Sequence, residues 1–160
     1  MDAKKALQVI AARCGRQECS SFEVISWLRR HELTEQEIAA CVAYLREHRF
    51  VDDERFAMAY ARDKFRFKRW GRAKIEQALR QRQLPSETIA RALATLEATD
   101  VDATCLLLLR QKDTSLKEVD PYKRKAKLIR FALGRGFDFE TIRRALGQLT
   151  GQDALLDDET

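Results

Sequence analysis

The chain has 160 residues, 45% hydrophobic and 34% charged, with a net charge of +5 at pH 7 and a pI near 9.2. That length fits one domain or a few small tandem units, and the charged share exceeds the usual quarter. Only two Pro and six Gly occur, which disfavours a sandwich or barrel and favours helices.

In chain order, the start Met1-Asp2-Ala3-Lys4-Lys5 leads into a polar-studded helix over Ala3–Ala12, with Leu7 and Ile10 on its apolar face. This is not the apolar stretch of a secretory leader. Beyond it, one pattern occurs three times: Val24, Leu28, Leu33, Ile38, Val42, Leu45; then Ile75, Leu79, Leu84, Ile89, Leu93, Leu96; then Leu128, Ala132, Phe137, Ile142, Leu146, Leu149. The internal offsets are identical, and the copies start 51 and 53 residues apart. The first two positions of each set share a helix face, the last three line the next helix, and the middle residue plugs the connection. Start signals agree: Ser20-x-x-Glu23 and Thr34-x-x-Glu37 fit capping boxes, Pro85 a first turn and Asp138 an N-cap.

A further helix precedes the second pair over Asp52 to about Phe67, and the third over Asp102–Arg110. The expectation is all-α: three tandem three-helix repeats over 1–50, 51–99 and 100–150, stacked into an elongated, curved body. Gln111–Asp120 is the best candidate for a flexible loop. Residues 151–160, with four acids and no base from Asp153 to Thr160, are expected to form a disordered tail. The longest apolar run, Cys105–Leu109, is far too short to cross a bilayer. Cys14, Cys19, Cys41 and Cys105 form no C-x-x-C pair, so reduced thiols and a cytoplasmic location are expected.

Charge is concentrated. Residues 62–82 carry Arg62, Lys64, Arg66, Lys68, Arg69, Arg72, Lys74, Arg80 and Arg82 against Asp63 and Glu76 alone. Residues 121–135 carry Lys123, Arg124, Lys125, Lys127, Arg130 and Arg135 with no acid. Such clusters are either solvated helix faces or an anion-binding surface, and uncompensated repulsion favours the second. Phe65, Phe67 and Trp70 interleave with the first cluster, where aromatics can stack on bases or anchor a protein contact. Packing in the core is the expectation for Phe67 and Trp70, while Phe65 is open. No enzymatic constellation accompanies these features. His31 and His48 lack companions at ligand spacing, Asp52 and Asp53 read as helix caps, and Gly134-Arg135-Gly136 reads as a helix end, not a phosphate loop. No cofactor or metal is expected.

Phe50-Val51-Asp52-Asp53-x-Arg55-Phe56-Ala57-x-x-Tyr60, followed by Gly71-x-x-Lys74-Ile75-x-x-x-Leu79, resembles the central signature of the RecX family of recombinase regulators. Lys127-x-x-Arg130-Phe131-x-x-x-Arg135-Gly136-Phe137 resembles that family's C-terminal signature. Phe50 and Val51 stand where the family usually has Tyr and Leu, and His31-Glu32-Leu33 replaces a common Lys-Gly-aromatic turn. The resemblance implies a monomeric protein of three three-helix repeats that lies in the groove of the RecA nucleoprotein filament. It implies negative modulation of strand exchange, ATP hydrolysis and co-protease activity, and contact with single- or double-stranded DNA directly or through the filament. The expected contact surface is Lys64, Arg66, Lys68, Arg69, Arg72, Lys74, Lys123, Arg124, Lys125, Lys127 and Arg130. The alternatives are a stand-alone helical DNA-binding protein or transcription regulator, and a helical scaffold for an acidic protein.

Overall fold

A computed structural model describes residues 1–151; the expected acidic tail beyond Gly151 lies outside the described residues. Among these there are nine helices and no strand: α1 (Ala3–Arg16), α2 (Ser21–Arg30), α3 (Glu35–Glu47), α4 (Asp53–Lys68), α5 (Arg72–Gln81), α6 (Ser86–Ala94), α7 (Ala98–Ser115), α8 (Pro121–Gly134) and α9 (Phe139–Thr150).

The threefold pattern maps onto α2–α3, α5–α6 and α8–α9. All its positions are buried except Leu93 and Leu149, which are half-buried. Each connection residue is inside: Leu33 and Leu84 are 8% exposed and Phe137 3%. The residue before each of them, Glu32 (φ 63), Gln83 (φ 56) or Gly136 (φ 97), is left-handed. That conformation closes a Schellman-type turn, in which Leu33 N–H donates to the Leu28 carbonyl (3.4 Å) and Phe137 N–H to that of Ala132 (3.2 Å). Glu32 and Gln83 hold a conformation that disfavours any residue with a Cβ by roughly 1–2 kcal/mol. Burial of the following side chain offsets that cost.

The helix starts are capped locally, as read from sequence. Ser20 and Thr34 form reciprocal capping boxes with Glu23 and Glu37, and Asp138 accepts from Thr141 N–H (2.7 Å). Pro85 sits one residue ahead of α6, its carbonyl accepting from Ile89 N–H. The acidic pair divides its roles. Asp52 accepts from Arg55 N–H at the start of its own helix (3.0 Å), whereas Asp53 reaches the start of α2, where Ser21 donates both N–H (2.8 Å) and Oγ–H (2.6 Å).

α7 corrects the expected loop: it begins before Asp102 and runs to Ser115, leaving Leu116–Asp120 as the connection. The extra turns are held from α8. Arg124 bonds the side chain and carbonyl of Asp113 and the carbonyls of Leu116 (3.3 Å) and Glu118 (2.7 Å). A guanidinium on the last carbonyls of a helix satisfies orphan acceptors and opposes the helix dipole.

The chain forms two compact units, one of Met1–Tyr60 with Ala78–Ala92, the other of Ala61–Gln77 with the chain from Leu93 on. The division falls inside α4, α5 and α6. In the first unit α3 packs on α1 and α2 around Ala6, Ile10, Val24, Leu28, Ile38 and Leu45. Leu28 and Leu45 are fully buried, so truncating either to Ala costs about 2–5 kcal/mol. In the second unit α7 packs on α8 and α9, burying Cys105, Leu108 and Leu109 and leaving Leu107 42% exposed.

Candidate functional site

All eleven sequence-predicted contact residues belong to the second unit. The last turns of α4 carry Lys64 to Lys68, and the chain leaves the helix through Arg69 (φ 56), with Trp70 N–H donating to the Lys64 carbonyl (3.2 Å). The start of α5 is then capped by backbone from the α8–α9 turn. Gly71 N–H donates to the Arg135 carbonyl (2.7 Å) and Ala73 N–H to that of Gly136 (3.0 Å). Only glycine fits at this contact. A Cβ on Gly71 would lie 2.3 Å from the Gly136 oxygen, and one on Gly136 2.5 Å from the Lys74 Cβ. The segments around Gly71 and Gly136, from the two signatures, therefore touch. Reading Gly134-Arg135-Gly136 as only a helix end misses this tertiary role.

This junction sorts the eleven cations. Five are committed within the unit. Arg72 donates to the Leu96 carbonyl (2.6 Å), Arg124 holds the end of α7, and Lys127 pairs with Glu118 (3.3 Å). Lys64 and Lys74 lie over the Trp70 ring, 5.1 and 4.7 Å from its centroid. The other six, Arg66, Lys68, Arg69, Lys123, Lys125 and Arg130, are exposed, and among the described residues their side chains make no ion pair.

The acid-free stretch 121–135 is therefore partly compensated from outside itself, by Asp113 and Glu118. The hydrogen bond from Lys127 holds the Glu118 carboxyl below its ordinary range. What remains is unfavourable for the isolated helix. Lys123 and Arg124 lie in the first turn of α8, which has no acid, and Lys125 follows at the start of the second. A cation at a helix N-terminus costs roughly 0.3–1 kcal/mol through the dipole. The N-cap Asp120 offsets part of this, accepting from Tyr122 N–H (2.9 Å) and Lys123 N–H (3.4 Å). The Asp138 carboxyl, which starts α9, is likewise held low, first by the Thr141 N–H and more weakly by Arg144 and Arg72.

The aromatics separate into three environments. Phe65 is half-buried, and Trp70 is half-buried beneath its two lysines. Phe67, expected in the core, is instead 76% exposed. It is turned well away from buried Ala61 on α4. Sequence reasoning also passed over Val119 and Tyr122, 90% and 88% exposed beside Lys123. A large apolar side chain next to three cations at a helix start was the available signal.

Elsewhere, His31 stacks on Trp27 at 4.0 Å with its Nδ1 2.9 Å from the Trp27 carbonyl oxygen, and His48 lies against Tyr44. No group of three or more metal-ligating side chains gathers among the described residues. No described helix is long and apolar enough to cross a membrane.

Comparison with known proteins gives concordant results. Family models described as the second and third three-helix domains of RecX match residues 52–93 and 100–146. Regulatory protein RecX of Chlorobium phaeobacteroides is 35% identical over 148 residues, covering 92% of this chain and 95% of its own length. That of Chlorobaculum tepidum is 32% identical over 155 residues, covering 96% and 91%. The crystal structure of RecX from Lactobacillus salivarius superposes with a TM-score of 0.83 at 17% identity, covering 92% of this chain and 96% of that one. At that identity the likeness speaks for the fold.

Proposed function

This chain belongs to the RecX family, and on that premise we propose that it is a non-enzymatic regulator of the RecA recombinase. It binds the RecA nucleoprotein filament in the bacterial cytoplasm, as a monomer, and lowers the filament's recombinase, ATPase and co-protease activities. Its repeats occupy 1–50, 51–99 and 100–150. The relatives are named regulatory proteins, which supports control over catalysis.

The observation that carries the reading is the division of the cations. Arg72, Arg124 and Lys127 hold the second unit together, while Arg66, Lys68, Arg69, Lys123, Lys125 and Arg130 face solvent unpaired. The cations Lys123 and Arg124 in the first turn of α8, with Lys125 just after it, oppose the dipole, and a polyanionic partner turns that repulsion into attraction. Contact with filament-bound DNA through these six predicts salt-sensitive binding, with log affinity falling against log salt by roughly 0.9 per duplex phosphate neutralised and 0.7 per single-strand phosphate.

The test is ATP hydrolysis by the recombinase on single-stranded DNA, titrated with this protein. Inhibition is expected at low salt, and an Arg69→Glu, Lys123→Glu, Lys125→Glu variant of unchanged helicity loses it by at least an order of magnitude, since each reversal also repels phosphate. A wild-type protein that leaves hydrolysis untouched refutes the regulator. A triple variant that inhibits as well as wild type refutes the surface.

A further inference from the structure

Phe67 is an exposed aromatic of the second unit that the reading above does not use. It lies in the last turn of α4, 76% exposed. Arg66, Lys68 and Arg69 flank it in sequence, all exposed and without ion pairs. A lone exposed apolar side chain is ordinary; the company this one keeps is not. The other two aromatics of the stretch have their surfaces occupied, Phe65 by partial burial and Trp70 by Lys64 and Lys74. Of these three, Phe67 combines an accessible ring face with unpaired cations on both sides. Tyr122, 88% exposed and followed by Lys123 and Lys125, repeats the combination at the start of α8.

We propose that Phe67 is a stacking platform for an unpaired nucleobase, so that the cationic surface selects single-stranded over duplex nucleic acid. The inference rests on the reading that this surface meets nucleic acid, and it adds which form is preferred and which residue makes the choice. Cations contact phosphates of either form and discriminate little between them. An aromatic ring discriminates because bases in a duplex already have both faces stacked and must be wedged apart to admit it, whereas a single strand offers its base faces freely. Stacking is indifferent to base identity. The site is therefore tolerant of sequence, as a regulator acting anywhere along a strand requires.

The experiment measures binding of labelled oligothymidylate, oligouridylate and a duplex of equal length to the full chain across a salt series. Phe67→Ala is expected to weaken binding to both single strands on the order of ten-fold and to leave duplex binding within about two-fold, with the salt slope unchanged. Phe67→Trp restores the affinity, since it returns a π face, while Phe67→Leu, which keeps apolar bulk, does not. Lys68→Gln behaves oppositely, weakening both forms and lowering the single-strand slope by about 0.7. Because Phe67 is largely exposed, all these variants are expected to retain wild-type far-UV circular dichroism. Equal loss on duplex and single strands overturns the proposal, as does rescue by Phe67→Leu or failure of the wild type to bind free single strands at low salt. If Phe67→Ala impairs inhibition of the recombinase yet binds free strands normally, the ring is a protein anchor and the proposal falls. In either of the last two cases the regulator reading stands, because its own test is inhibition of ATP hydrolysis.

Discussion

Replacing Gly71 with Ala tests the backbone contact on which the second unit's cationic surface is built. The new Cβ would sit 2.3 Å from the Gly136 oxygen, 2.4 Å from its carbon and 2.6 Å from the Phe137 nitrogen, where ordinary contact begins at 3.4 Å. All three are main-chain atoms, so no rotamer change relieves the clash. The α5 start and the α8–α9 turn must part by about an ångström, which stretches the Gly71–Arg135 and Ala73–Gly136 hydrogen bonds from 2.7 and 3.0 Å beyond useful range. Each donor left unsatisfied costs about 1–3 kcal/mol, while the stiffer unfolded chain returns about 0.4–1 kcal/mol. The net loss is about 1–5 kcal/mol by the same figures. The matched control is Gly15→Ala in α1, where a Cβ meets nothing within 4 Å; the same atom added there stabilises by roughly 0.5–1 kcal/mol through helix propensity. Urea unfolding reports the first through Trp70 fluorescence in a Trp27→Phe background and the second through far-UV circular dichroism. A Gly71→Ala protein within about 0.5 kcal/mol of its parent, the spread of ordinary surface substitutions, would refute the reasoning. So would a Gly15→Ala protein equally damaged.

Arg124→Ala is expected to destabilise the second unit by about 2–3 kcal/mol, because it strips a charged donor from the end of α7; Lys125→Ala, one residue away and unpaired, stays within about 0.5 kcal/mol in the same urea assay. The Glu54 carboxyl is lowered to about 2, first by its hydrogen bond from Arg91 and then by that from Thr88. A depressed acid stabilises the fold above its ordinary value of 4.5 and loses that contribution as pH falls toward 2. The stability difference between wild type and Glu54→Gln should therefore be full at neutral pH and shrink steadily over that acid range; a difference independent of pH counts against the pairing. Burial pushes the Cys14 thiol up to about 12 and the Cys105 thiol to about 11, and all four cysteines are free and buried. Native protein at neutral pH should thus resist iodoacetamide and label at all four sites only in urea, as read by mass spectrometry; rapid labelling of Cys14 or Cys105 without denaturant contradicts their placement.

What sequence made legible was governed by neighbours a few residues apart. The spacing of Val24, Leu28 and Leu33 and its two echoes marked helix, turn and helix because helical faces recur every three or four residues. Ser20, Thr34, Asp52 and Asp138 announced helix starts because capping joins residues two or three apart. The candidate surface was legible as clusters of charge, but not as a division between free and committed cations. Arg124 looked like its neighbours Lys123 and Lys125 until the fold set it against Asp113, and Phe67 looked like core by type.

Other assignments belonged to the tertiary structure alone. Asp53 serves a helix that begins 32 residues earlier, α7 runs past its apolar face because Arg124 grips its end, and Gly71 is required because Gly136 lies against it. Each depends on groups remote in sequence meeting at a distance no local periodicity encodes. Short-range order follows from the repeating geometry of a helix, whereas which side chains are left for a partner depends on what the rest of the chain has already covered.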